Sequence, residues 1–349
     1  MITLVERPRV FGTGLIALDL VLGPDPQSPV RSWAGGTCGN VLSILAYLGW
    51  DAFPIARLNG DPASNRVRAD MSQWGVHLEF ASCGPTTHTP IIIQKLRRDR
   101  DGKPKHRFSW SCLKCGQGLP AYKPVTIAAA EAIAPSMDRV SVFFLDRLST
   151  AGLSLAKKAA NQGAVVVFEP SGKGSEKLMS QAIGLAHIVK YADQRLADLG
   201  GVMDASASIL VEVQTLGEHG LKYRHRFGRS RSNWIHVNAV PAPWLADSCG
   251  SGDWCTAGLL AKAAAGGLAS LREGGAAQIY DALRYGQALA TWNCSFEGAR
   301  GGMYAVARDA FDEQIKALLN GHFAKIECSA REKEPEGLVE CPSCSTVQH

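Results

Sequence analysis

The chain has 349 residues, of which 46% are hydrophobic and 20% are charged, a balance typical of globular proteins. Its net charge of +5 is too small and too dispersed to favour nucleic-acid binding. No run of about 18 apolar residues appears, and Glu6 and Arg7 occupy the place where a signal peptide would have its apolar core. We therefore expect a cytoplasmic enzyme that contacts neither nucleic acid nor membrane.

The amino-terminal segment 10–22 is predicted to be one apolar strand that carries an acidic residue, Asp19. Its GxGxxA pattern is not followed by a helix, because the next residues are GPDPQSP, so a dinucleotide fold is rejected. Asp19 either binds a ligand or is simply a solvent-facing residue before a turn.

A paired glycine, Gly35-Gly36, precedes Asn40 and an apolar helix. Glycines permit close approach of the backbone to a ligand, and an amide side chain offers both a donor and an acceptor to a diol. The alternative for Asn40 is helix capping. Trp33 is expected either to stack on a ligand or to pack in the protein.

Residues 62–80 are predicted to form a helix followed by a strand, VHLEF. From residue 86 two β-rich runs are separated by a charged turn at Asp101-Gly102, which predicts a hairpin.

From about residue 120, helices and short apolar strands alternate, which predicts a parallel sheet buried on both faces. The helix of 121–134 is the first in this series. Ligands of such sheets bind beyond the carboxyl ends of the strands. This places Asp146, Glu169 and Lys190 near a common site.

The segment TLGEHG contains Thr215, Gly217 and Gly220 and follows another strand; by itself it is equally typical of an ordinary hairpin. A long helix further on ends in SFEGARGG, which includes Gly298, and the last clear helix closes near residue 321.

The segment DSCGSGDWCTAGLL, residues 247–260, combines a glycine turn with the start of a helix near Ser251. Gly250 and Gly252 allow successive amide N–H groups to face one anion, and the helix N-terminus adds positive potential. Asp253, in the first helical turn, has the position of a general base for a bound alcohol. The alternative is a simple loop and helix cap.

Two of these segments together resemble the PfkB (ribokinase-like) family of carbohydrate and nucleoside kinases. DSCGSGD resembles its carboxy-terminal signature DTxGAGD, and AGGTCGNVLSILAYLGWDAFPIARLNGD resembles its amino-terminal signature. The resemblance spans about residues 8–320. It implies a three-layer α/β sandwich over residues 1–324, with a mostly parallel central sheet and a small β-sheet lid from about 20–34 and 86–112.

The resemblance also implies an ATP-dependent kinase that uses Mg²⁺ and phosphorylates a hydroxyl of a sugar or nucleoside. The implied catalytic residues are Asp253, Gly250, Ser251 and Gly252, and the implied substrate-binding residues are Asp19, Gly35, Gly36 and Asn40. The implied nucleotide-binding residues are Lys190, Thr215, Gly217, Gly220, Asn293 and Gly298. A homodimer formed through the lid would agree with this assignment.

The chain departs from the family pattern after Lys190. The family usually has Asn-x-x-Glu there, whereas this chain has Ala192 and Arg195, and neither side chain suits a magnesium ion. The alternative function is therefore a weakly active or inactive subunit that binds a ligand or assembles with a partner protein through its tail.

The tail, residues 325–349, is polar and carries a CxxC pair, Cys341 and Cys344; a second CxxC pair, Cys112 and Cys115, follows the predicted hairpin. Four thiolates in two such pairs are the ligand set of a structural zinc site. We therefore predict a zinc ion that attaches the tail to the lid region, and cysteines without a metal are the alternative.

Overall fold

The structure is a computed structural model that describes residues 6–23, 25, 30–58, 60–82, 84–85, 87–102, 104–172, 174–194, 202–228, 230–242, 244–322 and 344. Its strands are β1 (Arg9–Thr13), β2 (Ala17–Leu22), β3 (Arg31–Gly35), β4 (Asp51–Ile55), β5 (Ile91–Arg98), β6 (Pro104–Ser109), β7 (Val142–Leu145), β8 (Val165–Phe168), β9 (Ile188–Ala192), β10 (Val211–Thr215), β11 (Leu221–His225) and β12 (Ile235–Val237).

The helices are α1 (Thr37–Tyr47), α2 (Pro62–Gln73), α3 (Ile127–Ile133), α4 (Thr150–Asn161), α5 (Glu176–Leu185), α6 (Val202–Ala205), α7 (Ser251–Ala263), α8 (Gly267–Asn293), α9 (Gly301–Ala305) and α10 (Arg308–Leu319). Short 3₁₀ turns occupy Ala134–Ser136 and Gly217–His219. Helix α8 contains a break at Gly275, where φ is 61°.

The central sheet has the strand order β12-β11-β10-β9-β8-β7-β1-β4. The strands from β10 to β4 are parallel, and β11 and β12 add an antiparallel edge. Because the parallel strands share one direction, their carboxyl ends form a single edge, where ligands of such sheets bind.

The central sheet is covered on both faces, so its inner strands β7 and β8 are apolar at every position. On β7, Val142 and Phe144 pack into the core beneath α1, α7 and α8, whereas Phe143 and Leu145 pack beneath α3 and α4. This alternation across the pleat builds two hydrophobic cores and a three-layer sandwich, as the sequence predicted.

A second, four-stranded sheet has the order β3-β2-β5-β6. Strand β2 pairs in parallel with β5 and antiparallel with β3, and β5 and β6 form the predicted hairpin around the turn at residues 99–102. We call this sheet the lid, since its strands fall in and beside the two segments predicted for it.

Three local predictions were wrong. Segment 10–22 is two strands in two different sheets, because the chain turns at Gly14–Ile16, where the N–H of Leu15 donates to Asp146 Oδ1 at 2.9 Å. Residues 76–80 are irregular rather than a strand. The helix predicted for 121–134 begins at Ile127, because the side chain of Thr126 caps it by accepting from the N–H of Ala129.

Candidate active site

The glycine turn before α7 has the geometry of an anion-binding loop. Helix α7 begins at Ser251, as predicted, and Gly250 is its N-cap with a left-handed backbone at φ 75°. A β-carbon at Gly250 would overlap the carbonyl oxygen of Ala299, so both the conformation and the space require glycine. Helix α7 therefore has its N-terminus at this turn, and a helix N-terminus favours bound anions.

A buried cation lies beside this turn. A β-carbon built at Gly252 would be 3.6 Å from Lys190 Nζ and 3.9 Å from Glu169 Oε1. Lys190 donates to Glu169 Oε1 at 2.8 Å, and the Thr256 hydroxyl donates to Glu169 Oε2 at 2.7 Å. Burial lowers the pKa of Lys190, but attraction to Glu169, Cys255 and Asp253 together with the hydrogen bond to Glu169 outweighs burial and raises the pKa overall, so the ammonium stays charged.

The two glycine-containing segments meet in space. Asn40 Nδ2 donates to Asp253 Oδ2 at 2.7 Å across 213 sequence positions. The capping alternative for Asn40 is wrong, since Gly36 is the N-cap of α1 and Asn40 lies one turn inside the helix. Asn40 instead fixes one carboxylate oxygen of Asp253, and this orients the second oxygen.

Asp19 lies in the middle of β2 and is 8% exposed, so it is not the solvent-facing residue of the alternative interpretation. Burial raises its pKa to about 7, against the lowering effects of Arg300 and of the Gly36 N–H. Asp19 Oδ1 has no hydrogen-bond partner among the described residues. A β-carbon at Gly35 would overlap this carboxylate, so glycine is what lets Asp19 occupy its position.

A buried ion pair that no local sequence pattern indicates supports this site. Arg300 and Asp70 are each 1% exposed and pair at 2.7 Å. Arg300 also donates to the Ala34 carbonyl at 2.6 Å and to Asn40 Oδ1 at 3.2 Å, while Asp70 Oδ2 accepts from the N–H of Ala34. The pair thereby holds the glycine turn before α1 and the side chain of Asn40.

The first residue of the DSCGSGD segment joins the lid to the turn. Asp247 is fully buried and accepts from Gln94 Nε2 at 2.9 Å, from the N–H of Cys249 at 3.0 Å and from the N–H of Gly298 at 3.0 Å. His106 Nδ1 lies 3.6 Å from Oδ1 of Asp247. Because Gln94 is on β5 and His106 is on β6, one carboxylate contacts both strands of the lid hairpin.

Apart from Lys190, the predicted nucleotide-side residues fall into two groups, and the first surrounds the β10–β11 turn. Thr215 ends β10 opposite Ala192, the last residue of β9. Gly217 begins a 3₁₀ turn and Gly220 follows it, with φ values of 59° and 85°, so the hairpin and the special glycine conformations are both present. Ala192 is thus confirmed at the strand end, and Arg195 lies outside the described residues.

Asn293 and Gly298 form the second group. Asn293 is fully buried, and its side-chain amide bonds to the backbone of Cys249, Gly298, Ala299 and Gly302. Gly298 packs against Trp33, which stacks on Tyr304 with ring centroids 4.8 Å apart. Trp33 is therefore a packing residue, and Asn293 and Gly298 belong to the loop that packs behind the glycine turn.

The predicted zinc ligands converge in part. The Sγ atoms of Cys112, Cys115 and Cys344 lie within 4.8 Å of one another, and Cys341 lies outside the described residues.

No helix of the described chain is both long and apolar enough to cross a bilayer.

Comparison with known proteins places the chain in a family. The pfkB family carbohydrate kinase model matches residues 24–304. Fructokinase from Klebsiella pneumoniae is 24% identical over 283 residues, which cover 74% of this chain and 86% of that protein.

Solved structures share the fold. Ribokinase from Arabidopsis thaliana, in complex with ribose and ATP, matches at a TM-score of 0.62 with 16% identity, covering 90% of this chain and 99% of that chain. Fructokinase from Xylella fastidiosa with bound ATP matches at a TM-score of 0.64 with 16% identity. The match covers 89% of this chain and 98% of that chain. With two separated signatures, a three-layer sandwich with a lid, and a family match over most of its length, the chain belongs to the pfkB family of carbohydrate kinases.

Proposed function

We propose that this protein transfers the γ-phosphoryl group of ATP to a hydroxyl of a sugar or nucleoside, with Asp253 as the general base. The observation that carries the proposal is the 2.7 Å contact between Asn40 and Asp253, which joins the acceptor-side helix α1 to the anion-binding turn. A base must lie within hydrogen-bond reach of the proton that it removes, and an oriented carboxylate at the start of α7 meets that requirement.

In the proposed reaction, Asp253 accepts the proton of the acceptor hydroxyl as its oxygen attacks the γ-phosphorus. The new O–P bond forms while the bond to the β,γ-bridging oxygen breaks, and ADP leaves with that electron pair. The amides of Gly250, Ser251 and Gly252 and the N-terminus of α7 stabilise the charge on the transferred group.

Lys190 adds a fixed positive charge beside this turn. Its ammonium lies close to Gly252 and is buried at 2% exposure, where a charge acts more strongly than in water. We propose that it interacts with the transferred phosphoryl group, and that this charge partly compensates for Ala192 at the end of β9.

Magnesium would enter with ATP as part of the substrate. Mg²⁺ typically uses one or two carboxylates together with phosphates and water, and the carboxylates at the strand ends are Asp146, Glu169 and Asp193. The described residues contain no cluster of three or more carboxylates that could hold the ion alone. Thr215, Gly217 and Gly220 are proposed to border the nucleotide, since they lie at the same edge.

Asp19 is proposed to accept hydrogen bonds from acceptor hydroxyls, because its Oδ1 is buried and lacks a partner among the described residues. Gly35, Gly36 and Asn40 would line the same side. A ribose- or fructose-like diol suits this chemistry, as does the sugar of a nucleoside.

The experiment is a coupled ADP-release assay on the purified full chain with MgATP and a panel of sugars and nucleosides. Asp253→Asn should lower kcat by about 10²- to 10⁴-fold, the usual contribution of a positioned base. Binding of a non-hydrolysable ATP analogue should change less than about threefold, since a base acts on the acceptor. Asp312→Asn, an exposed carboxylate on α10, is the matched control and should leave kcat unchanged.

Activity of Asp253→Asn within threefold of the wild type would overturn the assignment of the base. If the wild type neither binds the ATP analogue nor phosphorylates any compound in the panel, the result favours the alternative of a non-catalytic subunit. Ala192 is the observation that favours that alternative, because it removes a polar group from the strand end.

A further inference from the structure

The segment CLKCG, residues 112–116, forms a tight turn directly after the lid. The N–H of Gly116 donates to the Cys112 carbonyl at 2.9 Å, and Gly116 has φ 76°, which favours glycine. The N–H of Lys114 points at Cys112 Sγ at 3.4 Å. An amide donor of this kind stabilises a thiolate and orients it, as the groups around metal ligands commonly do.

A third sulfur comes from the far end of the chain. Cys112 Sγ and Cys344 Sγ are 3.8 Å apart across 232 positions, and all three sulfurs lie within 4.8 Å of one another. A tetrahedral zinc ion with Zn–S bonds of about 2.3 Å separates its sulfurs by about 3.8 Å. The Cys112–Cys344 distance matches that edge and is far longer than the ~2.05 Å of a disulfide bond.

These three cysteines also differ from Cys38, Cys255 and Cys294 in their surroundings. Cys38, Cys255 and Cys294 are buried, and burial raises the pKa of each thiol, as expected of small packing residues. Cys115 is exposed, and Cys112 and Cys344 are half-buried, so hydrophobic packing does not explain why they converge.

We propose that Cys112, Cys115 and Cys344 bind a structural zinc ion that fastens the carboxy-terminal tail to the end of lid strand β6. Thiolates are the ligands that Zn²⁺ takes in closed structural sites, and they disfavour the hard cations Mg²⁺ and Ca²⁺. The CxxC spacing in the sequence predicts Cys341 as the fourth ligand, but that residue lies outside the described residues, and the proposal rests on the three sulfurs.

The position of the site ties the tail to the part of the fold that covers the glycine turn. Residues 110–119 continue from β6, and Ser111 pairs with Gly118 to close the turn. Strands β5 and β6 contact Asp247 through Gln94 and His106. The metal would thus stiffen the base of the lid, and this role does not depend on the reaction proposed above.

The test is metal analysis by mass spectrometry of the full chain, purified under reducing conditions without added zinc. The wild type should carry about one zinc ion per chain, and Cys112→Ser and Cys344→Ser should each lower that content at least about tenfold. Cys341→Ser should behave like them, whereas Cys328→Ser, also in the tail but outside the CxxC pair, is the matched control and should keep its zinc. Replacement by Co²⁺ should give the intense visible bands and sulfur-to-metal charge transfer of a tetrahedral thiolate site.

Wild-type protein with less than about 0.1 zinc per chain, even after incubation with zinc and gel filtration, would overturn the proposal. Full zinc content in Cys112→Ser would do the same, as would a Cys112–Cys344 disulfide found by peptide mapping of protein whose free thiols were alkylated at lysis, before any reductant was added. If the serine variants fail to fold, chelation of the wild type decides the question: a structural thiolate site must release zinc and expose its thiols to a thiol reagent in parallel.

Discussion

Replacement of Asp70 should strongly lower the stability of the protein, although Asp70 lies far from the catalytic turn in the sequence. Asp70 pairs with Arg300 at 2.7 Å where both are 1% exposed, and it also accepts from the Tyr304 hydroxyl at 2.8 Å. In Asp70→Asn the guanidinium stays buried without its counter-charge. Breaking a buried pair in this way costs about 3–5 kcal/mol of unfolding free energy.

The expected change in melting temperature follows from the size of the chain. The entropy of unfolding is about 2.1 cal/mol/K per residue, so it is roughly 0.7 kcal/mol/K for a chain of 349 residues. The loss of about 3–5 kcal/mol in unfolding free energy therefore lowers the melting temperature by about 4–7 °C. The matched control is Asp312→Asn, which breaks an exposed i,i+4 pair with Arg308 worth about 0.3–0.5 kcal/mol, or less than about 1 °C.

Differential scanning calorimetry of the two variants and the wild type measures both shifts. The double variant Asp70→Asn with Arg300→Gln should lose less than the sum of the two single variants, since it leaves no unpaired buried cation. A shift for Asp70→Asn as small as that for Asp312→Asn would refute the reasoning, because it would mean that water or another anion solvates Arg300.

Two further predictions concern the site itself. Because burial raises the pKa of Asp19 to about 7, its carboxylate is protonated below that pH and loses acceptor capacity. We expect kcat/KM for the acceptor to fall about tenfold per pH unit below 7 in the wild type. In Asp19→Asn, kcat/KM should be low and independent of pH over the same range. A wild-type kcat/KM that does not change from about pH 5 to 8 would contradict this prediction. Gly250→Ala should melt at least about 2 °C below the wild type, since its φ of 75° and the Ala299 carbonyl leave no room for a β-carbon. Gly252→Ala, where a β-carbon meets nothing closer than 3.6 Å, should melt within about 1 °C of the wild type yet lose activity, because the methyl group would occupy the space beside Lys190. Equal melting temperatures for the two alanine variants would show that the turn can relax.

The sequence by itself determined the architecture, and the physical reason is periodicity. Apolar runs such as 142–145 and 165–168, separated by helices, can bury both faces only in a covered parallel sheet, so the central sheet was predictable. The lid hairpin was predictable from two β-rich runs around a charged turn, and the family from the resemblance of two separated segments. The start of α7 at Ser251 was also predictable, because glycine before a helix marks a turn that other residues disfavour.

Only the tertiary structure decided how distant side chains pair. Nothing local in 10–22 says that the strand breaks and that Asp19 belongs to the lid, since both halves have the same apolar pattern. Arg300 and Asp70 were missed because a charged residue in a sequence is presumed to be solvated, and its burial depends on a partner 230 positions away. Long-range contacts of this kind, including the hydrogen bond between Asn40 and Asp253, are created by the fold and leave no periodic signal in the chain.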